Sequence, residues 1–297
     1  MNVVWSQFVQ SIHILYSSRQ LRFHDFFAPQ FTSFFSLNPK EPLRILEIGC
    51  GPGALSGILH RWYPQAEITG VDRDSEFIRF ARQQESGVTF LEGDATCLPF
   101  PDDSFDVTIS HTVSEHIEPS RFFAEQHRVL KPGGVCLVLS SRKGIHIPSS
   151  CVEPGEQEQA FWEKADKYDD TMEKYAICKY PLSEAELPIT MEKYGFHDIQ
   201  TGFATIDLTP DNPKYSAPLA LDMIEAAHLC EVEFVESAAY SLPDCVTQEK
   251  KQQMLQRIEQ KYAERRRLYE QGEAQWDTTV SITMIVRGIK KERDNTQ

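Results

Sequence analysis

Between Arg44 and Ser140, short apolar or β-branched runs alternate with stretches able to form helices: RILEI, GALSGILHRWY, ITGVD, SEFIRFARQQ, VTFLEGD, FDVTIS, SRFFAEQHRVL and VCLVLS. Strands separated by helices join through right-handed β-α-β crossovers, so this order commits the chain to a mainly parallel sheet covered on both faces. The fold class is α/β.

The remaining segments attach to that core. Residues 1–40 are dense in aromatics, among them Trp5, Phe8, Tyr16, Phe23, Phe27, Phe31 and Phe35, and they end in the turn signals Asn38-Pro39 and Pro42. They read as an N-terminal helical cap, and 41–297 as the main domain. That domain carries a lid insertion at about 141–180 and a helical insertion at about 211–275. Two further strands are expected in HDIQTGFATIDL and DTTVSITMIVRGI. The second half of the helical insertion places Leu255, Ile258, Tyr262 and Leu268 or Tyr269 on one face, with Lys250, Lys251, Arg265, Arg266 and Arg267 expected on a solvated basic face.

Charge narrows the partners. Forty-four acidic against 30 basic residues give a formal charge of −14, a field that repels phosphate polymers and anionic lipid surfaces. Nucleic acid is therefore disfavoured as a partner. No apolar run approaches the ~18 residues of a membrane span, and the first twenty residues lack a basic leader pattern. The seven cysteines are scattered without a C-x-x-C pair, so no metal site is expected and reduced thiols in a cytoplasmic protein are the simplest reading.

The first strand runs straight into Glu47-Ile48-Gly49-Cys50-Gly51-Pro52-Gly53-Ala54, followed by an amphipathic helix. Glycines without a Cβ let a ligand lie against backbone where the helix presents its free N–H groups. The pattern Gly49-x-Gly51-x-x-Ala54, with Asp72 closing the second strand, also satisfies the relaxed dinucleotide fingerprint. On the glycines alone, an NAD-dependent oxidoreductase and other nucleoside-ligand proteins stay level. Asp72 suits two ribose hydroxyls; its alternative is an N-cap for the next helix.

Three further features separate the readings: Gly93-Asp94-Ala95-Thr96-Cys97-Leu98-Pro99-Phe100 after the third strand, FPDDSFDVTIS as the fourth, and Val129-Leu130-Lys131-Pro132-Gly133-Gly134 turning into the fifth. With these the chain resembles the class I S-adenosylmethionine-dependent methyltransferases, especially the branch holding the ubiquinone and menaquinone biosynthesis C-methyltransferases. The resemblance covers about Leu43 to Ser140, and more loosely Leu182 to the last strand.

It implies a Rossmann-like seven-stranded sheet in the order 3-2-1-4-5-7-6 with the seventh strand antiparallel. It also implies S-adenosyl-L-methionine as cofactor and S-adenosyl-L-homocysteine as product. Gly49, Cys50, Gly51 and Gly53 would lie along the methionine and ribose, with Glu47 toward the amino group. Asp72 would take the ribose hydroxyls, Arg73 and Phe77 would flank the adenine, Asp94 would accept its amine, Ala95 would offer backbone, and Ser110 would border the amino-acid end.

The reaction expected is methyl transfer to a small-molecule acceptor by in-line displacement, in which alignment and water exclusion matter most. A binding protein without catalysis is the second alternative. His111 is the first candidate base, and equally a contact to cofactor or acceptor; ordinary loop packing is the plain alternative. His116 is expected to hold its loop. Tyr16 and Arg19 are the expected polar contacts to the acceptor, under an aromatic roof formed by the N-terminal segment together with Phe161, Trp162, Tyr168 and Tyr175; the plain alternative is the apolar side that any cap helix needs. The chain has no Asn-Pro-Pro-Tyr or Asp-Pro-Pro-Tyr run and no Pro-Cys pair, which disfavours those nucleobase chemistries.

Overall fold

A computed structural model describes residues 5–168, 174, 177–242 and 246–291. Its helices are α1 (Trp5–Phe8), α2 (Ile12–Arg22), α3 (Ala28–Phe35), α4 (Ala54–Trp62), α5 (Ser75–Gln84), α6 (Pro119–Val129), α7 (Glu156–Tyr168), α8 (Glu186–Lys193), α9 (Ala217–Ser241) and α10 (Gln248–Glu270). Its strands are β1 (Arg44–Ile48), β2 (Glu67–Asp72), β3 (Thr89–Glu92), β4 (Phe105–His111), β5 (Leu130–Ile147), β6 (Phe196–Leu208) and β7 (Thr278–Lys290).

The seven strands form one sheet in the order β3-β2-β1-β4-β5-β7-β6, as the resemblance implies. The first five are mutually parallel, with Ile45 of β1 facing Ile68 of β2 on one side and Val107 of β4 on the other. β7 is antiparallel: Arg142 of β5 meets Met284, whereas His146, further along β5, meets Thr279. β1 and β4 are buried along almost their whole length, the mark of a sheet covered on both faces.

The chain divides into two compact units. The first takes in residues 1–142, 177–205 and 282–297 and contains the core around Leu46, Ile48, Phe122, Phe123, Val138 and Met191. The aromatic N-terminus belongs to this unit. Phe23, Phe27, Phe31 and Phe35 recur every fourth residue, from the end of α2 through a short 3-10 turn into α3, and all are at most 2% exposed. Phe31 stacks on Trp62 of α4 at 6.0 Å, and Phe23 meets the edge of His111 at 5.0 Å.

The second unit takes in residues 143–176 and 206–281. Its core joins Val152, Ile224, Val235, Met254, Ile258 and Tyr262, with Phe161 and Trp162 packed against it. The expected apolar face of α10 is present, but Arg265 departs from the expected solvated basic face. It is fully buried, held by Asp211 at 2.7 Å and Asp277 at 2.7 Å, because two carboxylates replace the water it loses.

Candidate active site

A cavity of about 540 Å³ opens at the C-terminal edge of the parallel strands, within the first unit. That edge is where open α/β sheets bind ligands, and the volume suits a nucleoside-sized molecule. Its floor is the loop between β1 and α4. Gly49, Gly51 and Gly53 all have positive φ. At Gly49 a side chain would also collide with Val113, and a Cβ added to Gly51 would touch Leu15 Cδ2 at 3.4 Å.

Asp72 ties this loop to the next strand tip. Its Oδ2 accepts the Gly51 N–H at 2.9 Å and its Oδ1 the Asp74 N–H at 2.9 Å. Burial raises its pKa, with those two bonds working against the rise. Each carboxylate oxygen retains a lone pair for a further donor. The N-cap of α5 is Asp74, which accepts the Glu76 N–H at 3.0 Å, so capping does not account for Asp72.

Glu47 is 2% exposed and accepts the Ser56 hydroxyl. Burial pushes its carboxyl up to about 8, and Asp72 adds to the rise while Ser56 and Arg19 oppose it. Asp94 behaves oppositely. Burial pulls its pKa upward, but the Thr96 amide at 2.7 Å and hydroxyl at 2.8 Å outweigh this and leave it lowered.

Cys50, Arg73, Phe77 and Ala95 also line the cavity. Ser110 is buried in β4 beneath the lining, its Oγ meeting no partner among the described residues.

His111 is 5% exposed, its Nε2 unpartnered among the described residues. Burial, with Arg19 and Arg22 adding to it, drives its pKa well below the ordinary histidine value, so the ring is neutral. His116 accepts the Cys178 N–H on Nδ1 at 2.9 Å and faces Trp5 edge-on at 4.8 Å. Burial lowers it to about 4, consistent with an acceptor nitrogen that anchors its loop.

The two residues expected over the acceptor part company. Arg19 lines the cavity and donates from Nη2 to Thr112 Oγ1 at 2.9 Å. Tyr16 does not line it: its hydroxyl donates to Glu85 at 2.7 Å and its ring meets Phe80 at 5.3 Å, so the anchoring carboxylate turns it outward. Phe161 and Trp162 pack within the second unit; the Tyr168 side chain and Tyr175 lie outside the described residues. Of the expected aromatic N-terminal roof, Trp5 lines the cavity; sequence reasoning missed Gln10, Ile117, Arg121 and Tyr180, which line it by tertiary approach. Thr112 carried a faint signal as the residue after a strand tip, and its φ of 55° turns it toward Arg19.

Comparisons with known proteins agree with this geometry. Residues 46–138 match the family model of the methyltransferase domain. Over 112 residues the chain is 40% identical to a fatty-acid O-methyltransferase of Mycolicibacterium smegmatis, covering 36% of this chain and 40% of that one. Over 105 residues it is 39% identical to a demethylmenaquinone methyltransferase of Thermus thermophilus, covering 34% and 48%. In both, the chain spans less than half of the relative's length. A solved structure of phosphoethanolamine N-methyltransferase 2 from Haemonchus contortus, in complex with S-adenosyl-L-methionine, superposes with a TM-score of 0.52 at 17% identity, covering 97% of this chain and 59% of that one. That likeness is one of fold.

Proposed function

We propose that this chain, whose residues 46–138 match the family model of the methyltransferase domain, moves a methyl group from S-adenosyl-L-methionine to a small-molecule acceptor. One observation carries the reading: carboxylates at two successive strand tips, Asp72 and Asp94, share a cavity with the three-glycine turn. A nucleoside offers the matching donors, ribose hydroxyls for Asp72 and a purine amine for Asp94. The relatives' names, which specify a fatty acid and a demethylmenaquinone, support a small acceptor.

The cavity's residues fit the donor. The glycine turn admits it against backbone, Phe77 and Arg73 suit the purine, and Glu47 suits the amino group of the methionine end. When bound, the donor supplies a methyl group on sulfonium, an already activated leaving group. The protein's share is then to fix the two reactants in line and keep water out, worth up to ~7–11 kcal/mol in favourable cases. Trp5, Leu15, Ile117 and Tyr180 supply the water-excluding wall. Neutral His111 is suited to hydrogen bonding the acceptor and is a weak base. We also read the chain as cytoplasmic, supported by six described cysteines that are all free. No described helix is long and apolar enough to cross a membrane.

Calorimetric titration with S-adenosylhomocysteine and with NADH tests this. The expected outcome is saturable binding of the first alone, weakened at least tenfold by Asp72→Ala in a variant that keeps its circular dichroism. Binding of NADH in its place overturns the reading, and an unchanged dissociation constant removes the role of Asp72.

A further inference from the structure

Along the sheet edge the strand tips follow the order β3, β2, β1, β4, β5. Asp94 follows β3, Asp72 closes β2 and the glycine turn follows β1, so the donor occupies the first half of this row. The second half is cationic. Arg19 and Arg22 stand three residues apart on α2; Arg19 lines the cavity, and Arg22 lies outside that lining toward β5. Arg19 donates to Thr112, just past β4, and Arg22 Nη1 donates to Ser141 Oγ of β5 at 3.4 Å.

Among the described residues, neither guanidinium has a carboxylate oxygen within 4.0 Å, so each keeps most of its five N–H donors for another partner. Close to both lies His111, 95% buried, with Nε2 unpartnered in the cavity wall. The carboxyls that act on Arg19, Glu47 and Glu115, are themselves raised by burial and neutralise it only in part. Burial and the repulsion of Arg22 bring Arg19 down to about 9, still charged at neutral pH.

We propose that Arg19 and His111 in the cavity wall, with Arg22 just outside it on the same helix, form the acceptor's anchoring site, and that the acceptor is a carboxylate on an otherwise apolar molecule. This rests on the methyl-transfer reading above. The donor brings one carboxylate; if Arg19 takes it, Arg22 remains, beside Ser141 of β5 and outside the cavity lining. A guanidinium fork matches a carboxylate's two oxygens, and His111 Nε2 supplies a neutral third contact. Leu15, Ile117 and Tyr180 in the same wall suit an apolar body. The net charge of −14 favours a monoanion over a phosphate dianion.

The test is calorimetry on the full chain saturated with S-adenosylhomocysteine. Octanoate and phenylacetate are the probes; octanol and octyl phosphate are the controls. The expected result is saturable binding of the carboxylates at least tenfold tighter than octanol and tighter than octyl phosphate. Arg22→Gln should cut that preference at least tenfold and leave S-adenosylhomocysteine affinity unchanged. Arg22→Lys, which keeps the charge and is the safer variant for folding, should cut it severalfold.

Carboxylates no tighter than octanol overturn the proposal, as does octyl phosphate binding best. Arg22→Lys without effect overturns it too, and so does Arg22→Gln weakening S-adenosylhomocysteine as much as octanoate, which would assign the pair to the donor. Failure of S-adenosylhomocysteine to bind the native protein sinks the methyl-transfer reading instead, a separate outcome seen before any probe is added.

Discussion

Glu47 illustrates how a carboxyl buried in the cavity wall costs stability. Its carboxyl moves from 4.5 to about 8 on folding, because burial outweighs the Ser56 hydroxyl and Arg19. The folded chain thus retains a proton that the unfolded chain releases. Below pH 4.5 both states hold it and nothing is lost; from there to about 8 stability falls as pH rises, by roughly 3–5 kcal/mol once the shift is fully expressed. Glu47→Gln keeps an acceptor for Ser56 and removes the titration. Denaturant unfolding of the ligand-free protein at pH 5 and pH 8 should show a markedly smaller decline for the variant than for the parent. Parallel declines would mean that the carboxyl is not held up.

At the scale of elements, Asp74 joins α5 to the N-terminal segment. Besides capping α5, its Oδ2 accepts the Ser6 N–H of α1 at 2.8 Å. Asp74→Ala should cost about 1–2 kcal/mol from the lost cap, measured by thermal unfolding, and should speed proteolytic cleavage around residues 5–11. Unaltered cleavage would show that α1 is held by other contacts, such as Trp5 on His116.

The elements also show what a sequence discloses. β1 to β4 were legible because their signals are local: apolar runs bounded by the glycine turn, Asp72, Gly93 and the Pro101-Asp102-Asp103 stretch. The apolar run of β5 ends near Ser140, yet the strand runs to Ile147. Its polar continuation, Ser141-Arg142-Lys143-Gly144, is held extended by β7, more than 130 residues away. The strand-tip carboxylates were legible for the same local reason. The choice between Tyr16 and Arg19 was not, since they differ by most of one turn and only tertiary packing fixes the rotation of α2. Arg265 departs from the pattern because helical periodicity marks a face and says nothing of buried acidic partners on other segments.

At the scale of the whole molecule, two cores share one chain that leaves the first unit after Arg142 and again after Thr205. The second unit depends on Arg265, where Asp211 also accepts the Gln275 and Trp276 amides at 3.0 and 2.9 Å. Arg265→Ala leaves two carboxylates without their cation, a loss of roughly 3–5 kcal/mol. Hydrogen exchange should then quicken across α9 and α10 while β1 to β4 keep their protection; equal loss in both units would show that they unfold together. The placement of β7 has a consequence for biosynthesis. It sits between β5 and β6, both of which leave the ribosome earlier. Until it arrives, each of those strands offers an open hydrogen-bonding rim to any neighbouring nascent chain, so the interval before residue 278 is translated is when a chaperone has most to shield.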